Sequence, residues 1–126
     1  MAMTLLVNID VDDLHKGIDF YTKAFGLTVG RRFGPDAVEL LGASSPIYLL
    51  AKPNGTVASA TSRHLRSYAR HWTPIHLDIV VSEIEGAVDR ARNAGDIVWV
   101  INDYAQIRQP RVEGDKPLDR LRRHHG

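Results

Sequence analysis

Two side chains with chemical potential sit two residues apart near the middle of this chain. His76 and Asp78 lie in the stretch IHLDIVV, residues 75–81, where apolar and polar residues alternate. A period of two is that of a half-buried strand, with Leu77, Ile79 and Val81 on one face and His76, Asp78 and Val80 on the other. On such a strand the imidazole and the carboxylate project side by side. The carboxylate can then hold the histidine tautomer or raise its pKa. Three readings of His76 stand open: a metal ligand, a hydrogen-bonding group in a pocket, or a core histidine satisfied by its neighbour. An earlier stretch, LVNIDVDDL, has the same alternation and places Asn8 and Asp10 on the matching face. With Asp78 they would bring together two carboxylates and an amide, which suit a cationic ligand or an acid–base pair. The alternative for Asp10 is a strand end in solvent. Tyr48, Tyr68, His71 and Trp72 are the aromatic groups placed to stack on a flat or cationic ligand.

The elements that must position these residues form a repeat. Residues 4–11 read as a strand. Asp12 or Asp13 can cap the helix that follows, in which Leu14, Gly17, Ile18, Tyr21 and Phe25 form one apolar stripe. Gly26 suits the left-handed position that ends a helix. Strands are then expected at 27–33, 37–41 and 47–51, with Gly34, Pro35 and Asp36 turning the chain between the first two. In the second copy, 75–81 is the first strand. Ser82 and Glu85 have the spacing of a capping box, Ile84, Ala87, Val88 and Ala91 form the buried stripe, and Gly95 matches Gly26. A strand at 97–101 follows. Beyond it the symmetry fails. Residues 106–112 make at best one poor strand, spoiled by Pro110, residues 115–125 read as a short basic helix, and the final strand has no candidate. Between the copies, PNGTVASATS reads as a flexible linker, and RHLRSYARHWTP mixes arginines, histidines and aromatics.

Composition narrows the function classes. The 126 residues suit one domain, and 44% hydrophobic with 25% charged residues is the balance of an ordinary globular protein. A formal net charge of +1 gives no general affinity for nucleic acid or an anionic membrane. The cationic tail with Arg108, Arg111, Lys116, Arg120, Arg122 and Arg123 is interrupted by Glu113, Asp115 and Asp119, as in a solvated helix face. The lack of cysteine excludes disulfides, thiolate catalysis and cysteine-based metal sites. No apolar run approaches the ~20 residues of a membrane helix, and the first residues do not read as a signal peptide. A cytoplasmic location is the expectation.

The motif DLxxxxxFYxxxFGL, carried by Asp13, Leu14, Phe20, Tyr21, Phe25, Gly26 and Leu27, and its partner HLDIVVSEIEGAVDRARNAG resemble the vicinal oxygen chelate superfamily. That group includes glyoxalase I, extradiol dioxygenases, fosfomycin-resistance enzymes and bleomycin-resistance proteins. The resemblance covers residues 4–104. It implies an α+β fold in which two strand–helix–strand–strand–strand units form a half-barrel cup, here with the second unit incomplete. Unit one is 4–52, the linker 53–74, unit two 75–112 and the basic tail 113–126, all in a single domain. Metal-using members place a His or Gln early on the first strand of a unit, which corresponds to Leu6 and His76 here, and an acid on the last strand. The PIYLLAK strand has no acid, so His76 is the one matching position and the expected metal set is none. The resulting expectation is a metal-free binding protein that sequesters an aromatic or cationic small molecule through Asn8, Asp10, Tyr48, Tyr68, Trp72, His76 and Asp78. The alternative is a metal-dependent lyase, isomerase or dioxygenase using His76. A homodimer is expected, because an incomplete barrel leaves a sheet edge to be covered.

Overall fold

The computed structural model describes residues 2–69 and 72–95 in full, and the backbone of Val98–Ile101 and Tyr104–Ile107. In the first unit each sequence signal has its structural counterpart. Strand β1 (Val7–Val11) leads into helix α1 (Leu14–Phe25). Asp13 has extended backbone, and its carboxylate accepts a hydrogen bond from the Lys16 N–H (3.0 Å), satisfying one orphan donor of the first turn. Gly26 ends the helix at φ 68°, and its N–H donates to the Thr22 carbonyl. Strands β2 (Thr28–Arg32), β3 (Ala37–Leu41) and β4 (Ile47–Ala51) follow.

These strands form one open sheet in the order β1-β4-β3-β2, with β1 parallel to β4 and the other pairs antiparallel. Alternation gives the sheet two faces. Val38, Leu40 and Leu49 are fully buried on one of them. They pack with Val11 against Phe20, Tyr21 and Ala24 of α1. Phe20 meets Tyr21 and Phe25 edge-on, with centroids 5.0 and 5.9 Å apart, so one aromatic cluster anchors the helix to the sheet. Helix α2 (Ile84–Asn93) lays Val88 and Ala91 into the same core by packing against α1. A second sheet pairs β5 (Val98–Ile101) with β6 (Tyr104–Ile107). The fold is α+β: among the described residues, a four-stranded open sheet with a concave face, a two-stranded sheet and two helices.

Four features of the second half differ from expectation. Residues 75–81 form no strand. Ile75, Leu77 and Val80 are 70%, 56% and 93% exposed. In the first unit, β1 is held by the last strand of its own unit, and the sequence offers no equivalent last strand to the second. An alternating segment without a ladder partner keeps its backbone groups in water. The helix cap is Glu83 rather than Ser82. Glu83 is the last extended residue, and its carboxylate accepts from the N–H groups of Glu85 (2.9 Å) and Gly86 (2.6 Å). A Cβ at residue 86 would collide with that carboxylate, so glycine admits the longer cap. Strand β6 starts at Tyr104 rather than Gln106, with Tyr104 paired to Ile101 of β5. The rest of the 106–112 strand, and the 115–125 helix, lie outside the described residues.

The fourth difference is the linker. Residues 53–69 are ordered by their own hydrogen bonds. Gly55 N–H donates to the Arg66 carbonyl (2.8 Å), Arg66 N–H to the Thr56 carbonyl (2.7 Å), and Ala58 N–H to the His64 carbonyl (3.1 Å). Val57 and Leu65 form an antiparallel bridge. The Arg66 side chain, 18% exposed, locks this hairpin by donating to Val57 O (2.6 Å), Thr56 Oγ1 (3.2 Å) and Asp10 Oδ2 (2.9 Å). Small polar residues read as flexible because they lack a core. Here one guanidinium fork substitutes for it by satisfying backbone carbonyls.

Candidate functional site

The face of the sheet turned away from α1 carries a row of polar groups across all four strands. Asn8 pairs with Tyr48, and Tyr48 with Glu39. Opposite Glu39 the β2 register slips between Val29 and Arg32, a β-bulge that places Gly30 and Arg31 beside it. A Cβ on Gly30 would stand 2.6 Å from Glu39 Oε1, so only glycine lets the carboxylate lie across β2 at this point.

Glu39 is thereby nearly saturated. Its Oε1 accepts from the Arg31 backbone N–H (3.1 Å) and Arg31 Nε (3.3 Å), and its Oε2 from Arg31 Nη2 (3.0 Å) and the Tyr48 hydroxyl (3.2 Å). The glutamate side chain is 8% exposed and the arginine 68%. The Arg31 hydrogen bonds hold the Glu39 carboxyl below its ordinary range, and the same contact raises the Arg31 guanidinium. Arg31 also lies over the Phe33 ring (5.2 Å to its centroid), and Phe33 meets Tyr48 edge-on at 5.8 Å.

Above this network lies an open concavity of about 450 Å³. Leu6, Phe33, Ala37 and Leu50 supply apolar wall, and Asn8, Arg31 and Tyr48 supply polar groups. That size and mixture suit a small organic molecule. Glu39 sits behind Arg31 and Tyr48 and contributes no wall.

Of the residues proposed from the sequence, Asn8 and Tyr48 come together here. Asp10, on the same face, is engaged by Arg66. Tyr68 donates its hydroxyl to the Lys52 carbonyl (2.5 Å), and burial pushes its phenol above the ordinary value, with the Asp10 charge adding to the effect. Trp72 and His76 are exposed and line neither this concavity nor the second one. Asp78 lines that second hollow, of about 540 Å³, with Val80, Phe25, Leu27 and Arg90 near the end of α1. The structure therefore does not bring the His76–Asp78 pair to Asn8 and Tyr48. His71 lies outside the described residues. Sequence reading passed over Arg31, Phe33 and Glu39. A signal existed for Glu39, a lone charge in the apolar strand AVELL; the bulge that delivers Arg31 left none.

The divalent ion implied by the superfamily resemblance does not fit this face. Leu6, just before β1, occupies the position of the family's first ligand, β4 presents Tyr48 and Leu50, and both acids of the face are paired with arginines. Among the described residues no three His, Cys, Asp or Glu side chains are grouped closely enough to hold a metal. No helix among them is long and apolar enough to cross a membrane.

Known proteins place this geometry. No curated protein matches the sequence. Solved structures do match the fold. A gene product of Arabidopsis thaliana is 15% identical with a TM-score of 0.61, over 87% of this chain and 91% of that one. A hypothetical protein from S. aureus is 17% identical with a TM-score of 0.56, over 85% and 86%. A glyoxalase/bleomycin resistance protein/dioxygenase from Nocardioides is 18% identical with a TM-score of 0.54, over 93% and 88%. At such identities the likeness is one of fold. The family model for the glyoxalase-like domain matches residues 6–98, most of the chain, and it spans both the concave sheet and α2. This chain belongs to the glyoxalase-like domain family.

Proposed function

We propose that this protein binds a small aromatic molecule on the concave face of its four-stranded sheet, in the manner of a bleomycin-resistance-type binding protein and without using a metal there. The observation that carries this reading is the concavity itself. Two aromatic rings, Phe33 and Tyr48, and apolar Leu6 and Leu50 surround a few polar groups in a volume suited to one ligand. The ordered 53–69 hairpin, pinned to Asp10, borders the same face beside Leu50, the strand partner of Asp10. The test is a thermal-shift screen with aromatic compounds. A ligand present at 100 times its Kd stabilises the fold by about 2.7 kcal/mol. The rise in Tm should vanish in Tyr48→Ala. A screen in which no compound raises Tm removes the support for this reading. Stoichiometric zinc, iron, manganese or nickel in the purified protein, lost in His76→Ala, would replace it with the metal-dependent lyase, isomerase or dioxygenase. The homodimer belongs to the same proposal. It rests on the exposed apolar residues of 75–81, which a second copy would cover, and a monomer in light scattering at micromolar concentration contradicts it.

A further inference from the structure

We propose that the concavity selects planar aromatic compounds bearing a carbonyl or carboxylate, neutral or anionic, and rejects aromatic cations of the same shape. This inference rests on the binding function proposed above and adds the charge and hydrogen-bonding class of the ligand. A wall with two acids would ordinarily invite a cation. Here neither acid lines the hollow. Asp10 gives one oxygen to Arg66, and Glu39 is bound through both oxygens by Arg31 and Tyr48 and sits behind them.

What the concavity offers instead is donors. The Arg31 side chain is 68% exposed, and it meets Glu39 through Nε and Nη2. Among the described residues Nη1 has no hydrogen-bond partner, and its two N–H groups are available to a ligand. Asn8, one strand beyond Tyr48, lines the same hollow, and among the described residues its amide has no partner either. An acceptor on the ligand satisfies both groups. A cationic head would bring a second positive charge toward Arg31 with no carboxylate in the lining to offset it. The ring of the ligand has the Phe33 and Tyr48 faces to pack on, with the flat Arg31 guanidinium already lying over Phe33.

Three nearly isosteric probes separate charge from shape: 2-naphthoate, 2-naphthamide and 2-naphthamidinium, titrated by calorimetry at neutral pH. The amide and the carboxylate are expected to bind at least about tenfold more tightly than the amidinium. Arg31→Gln leaves Glu39 without its cation and should bring out amidinium binding. Glu39→Gln leaves Arg31 without its anion and should strengthen naphthoate. Circular dichroism checks that both variants are folded. Asn8→Ala, at an exposed position, leaves the fold intact and should weaken naphthamide about fivefold, the size of one modest hydrogen bond. Equal binding of all three probes, or tighter amidinium binding, overturns the charge selection while leaving the binding function standing. No binding of any probe, together with no hit in the aromatic screen, overturns both.

Discussion

The two first strands of the repeat began with the same pattern and ended differently. Residues of β1 alternate, and β1 lies in a four-stranded sheet with every residue in register with β4. Residues 75–81 alternate equally well and carry the richer chemistry, yet among the described residues they pair with no strand, and 75–80 are exposed. A strand is half pattern and half partner. Its backbone donors and acceptors need a ladder, and β1 receives one because β2, β3 and β4 fold back to it through short turns. The second unit lacks a sequence candidate for that last strand. The same contrast decides where the site forms. Among the described residues, His76 and Asp78 have no strands paired beside them to add further groups. Asn8, chemically plainer, is joined by Tyr48, Glu39 and Arg31 from three neighbouring strands.

The largest effect expected from this contrast concerns the core. Leu49→Ala, at a fully buried position of β4, should cost about 2–5 kcal/mol in urea unfolding, whereas Leu77→Ala, in the exposed segment, should cost less than about 0.5 kcal/mol. Comparable losses at both positions would break the comparison, since they would mean that 75–81 is packed. Next comes the seat of Glu39. Gly30→Ala should destabilise by about 1–3 kcal/mol, because the new methyl must displace either the carboxylate from the Arg31 N–H or the Leu41 side chain. A neutral result would show that the carboxylate does not need the bulge.

The helix starts sharpen the comparison at smaller scale. Asp13→Ala and Glu83→Ala should each cost about 1 kcal/mol, and Ser82→Ala nearly nothing. If Ser82→Ala proves the costlier change in the second unit, the capping box read from the sequence is restored. The last effect depends on pH. The Glu39 carboxyl has a lower pKa folded than unfolded, so its stabilisation is complete above the unfolded value and is lost as pH falls through the folded one. Glu39→Gln should therefore lower Tm at pH 7 and have a shrinking effect below about pH 4. A pH-independent difference would mean that Glu39 stabilises by shape alone.

Where signals were local, they were legible. Asp13, the stripe from Leu14 to Phe25, and Gly26 lie within a few turns of each other, and each acts through its own backbone neighbourhood. The motif around Phe20 and Tyr21 likewise pointed to the family that the chain belongs to. The misreadings came from interactions distant in sequence. PNGTVASATS looked flexible because Arg66 holds it through carbonyls, which every residue has and no sequence pattern marks. Asp10 looked like a ligand-facing acid until the same arginine engaged it. Arg31 was silent because a bulge, rather than alternation, sets the face to which it points.

The sequence by itself determined the first unit, its two faces and the apolar core, because helix and strand periods are written in neighbouring residues. Tertiary structure alone decided which chemistry those faces present. Pairing β4 with β3 and β3 with β2 set Glu39 against Tyr48 and Arg31. The folded hairpin brought Arg66 to Asp10. Both acids of the concave face were thereby paired with a guanidinium, Glu39 as a buried carboxylate under an exposed Arg31 and Asp10 as a part-exposed carboxylate on a largely buried Arg66.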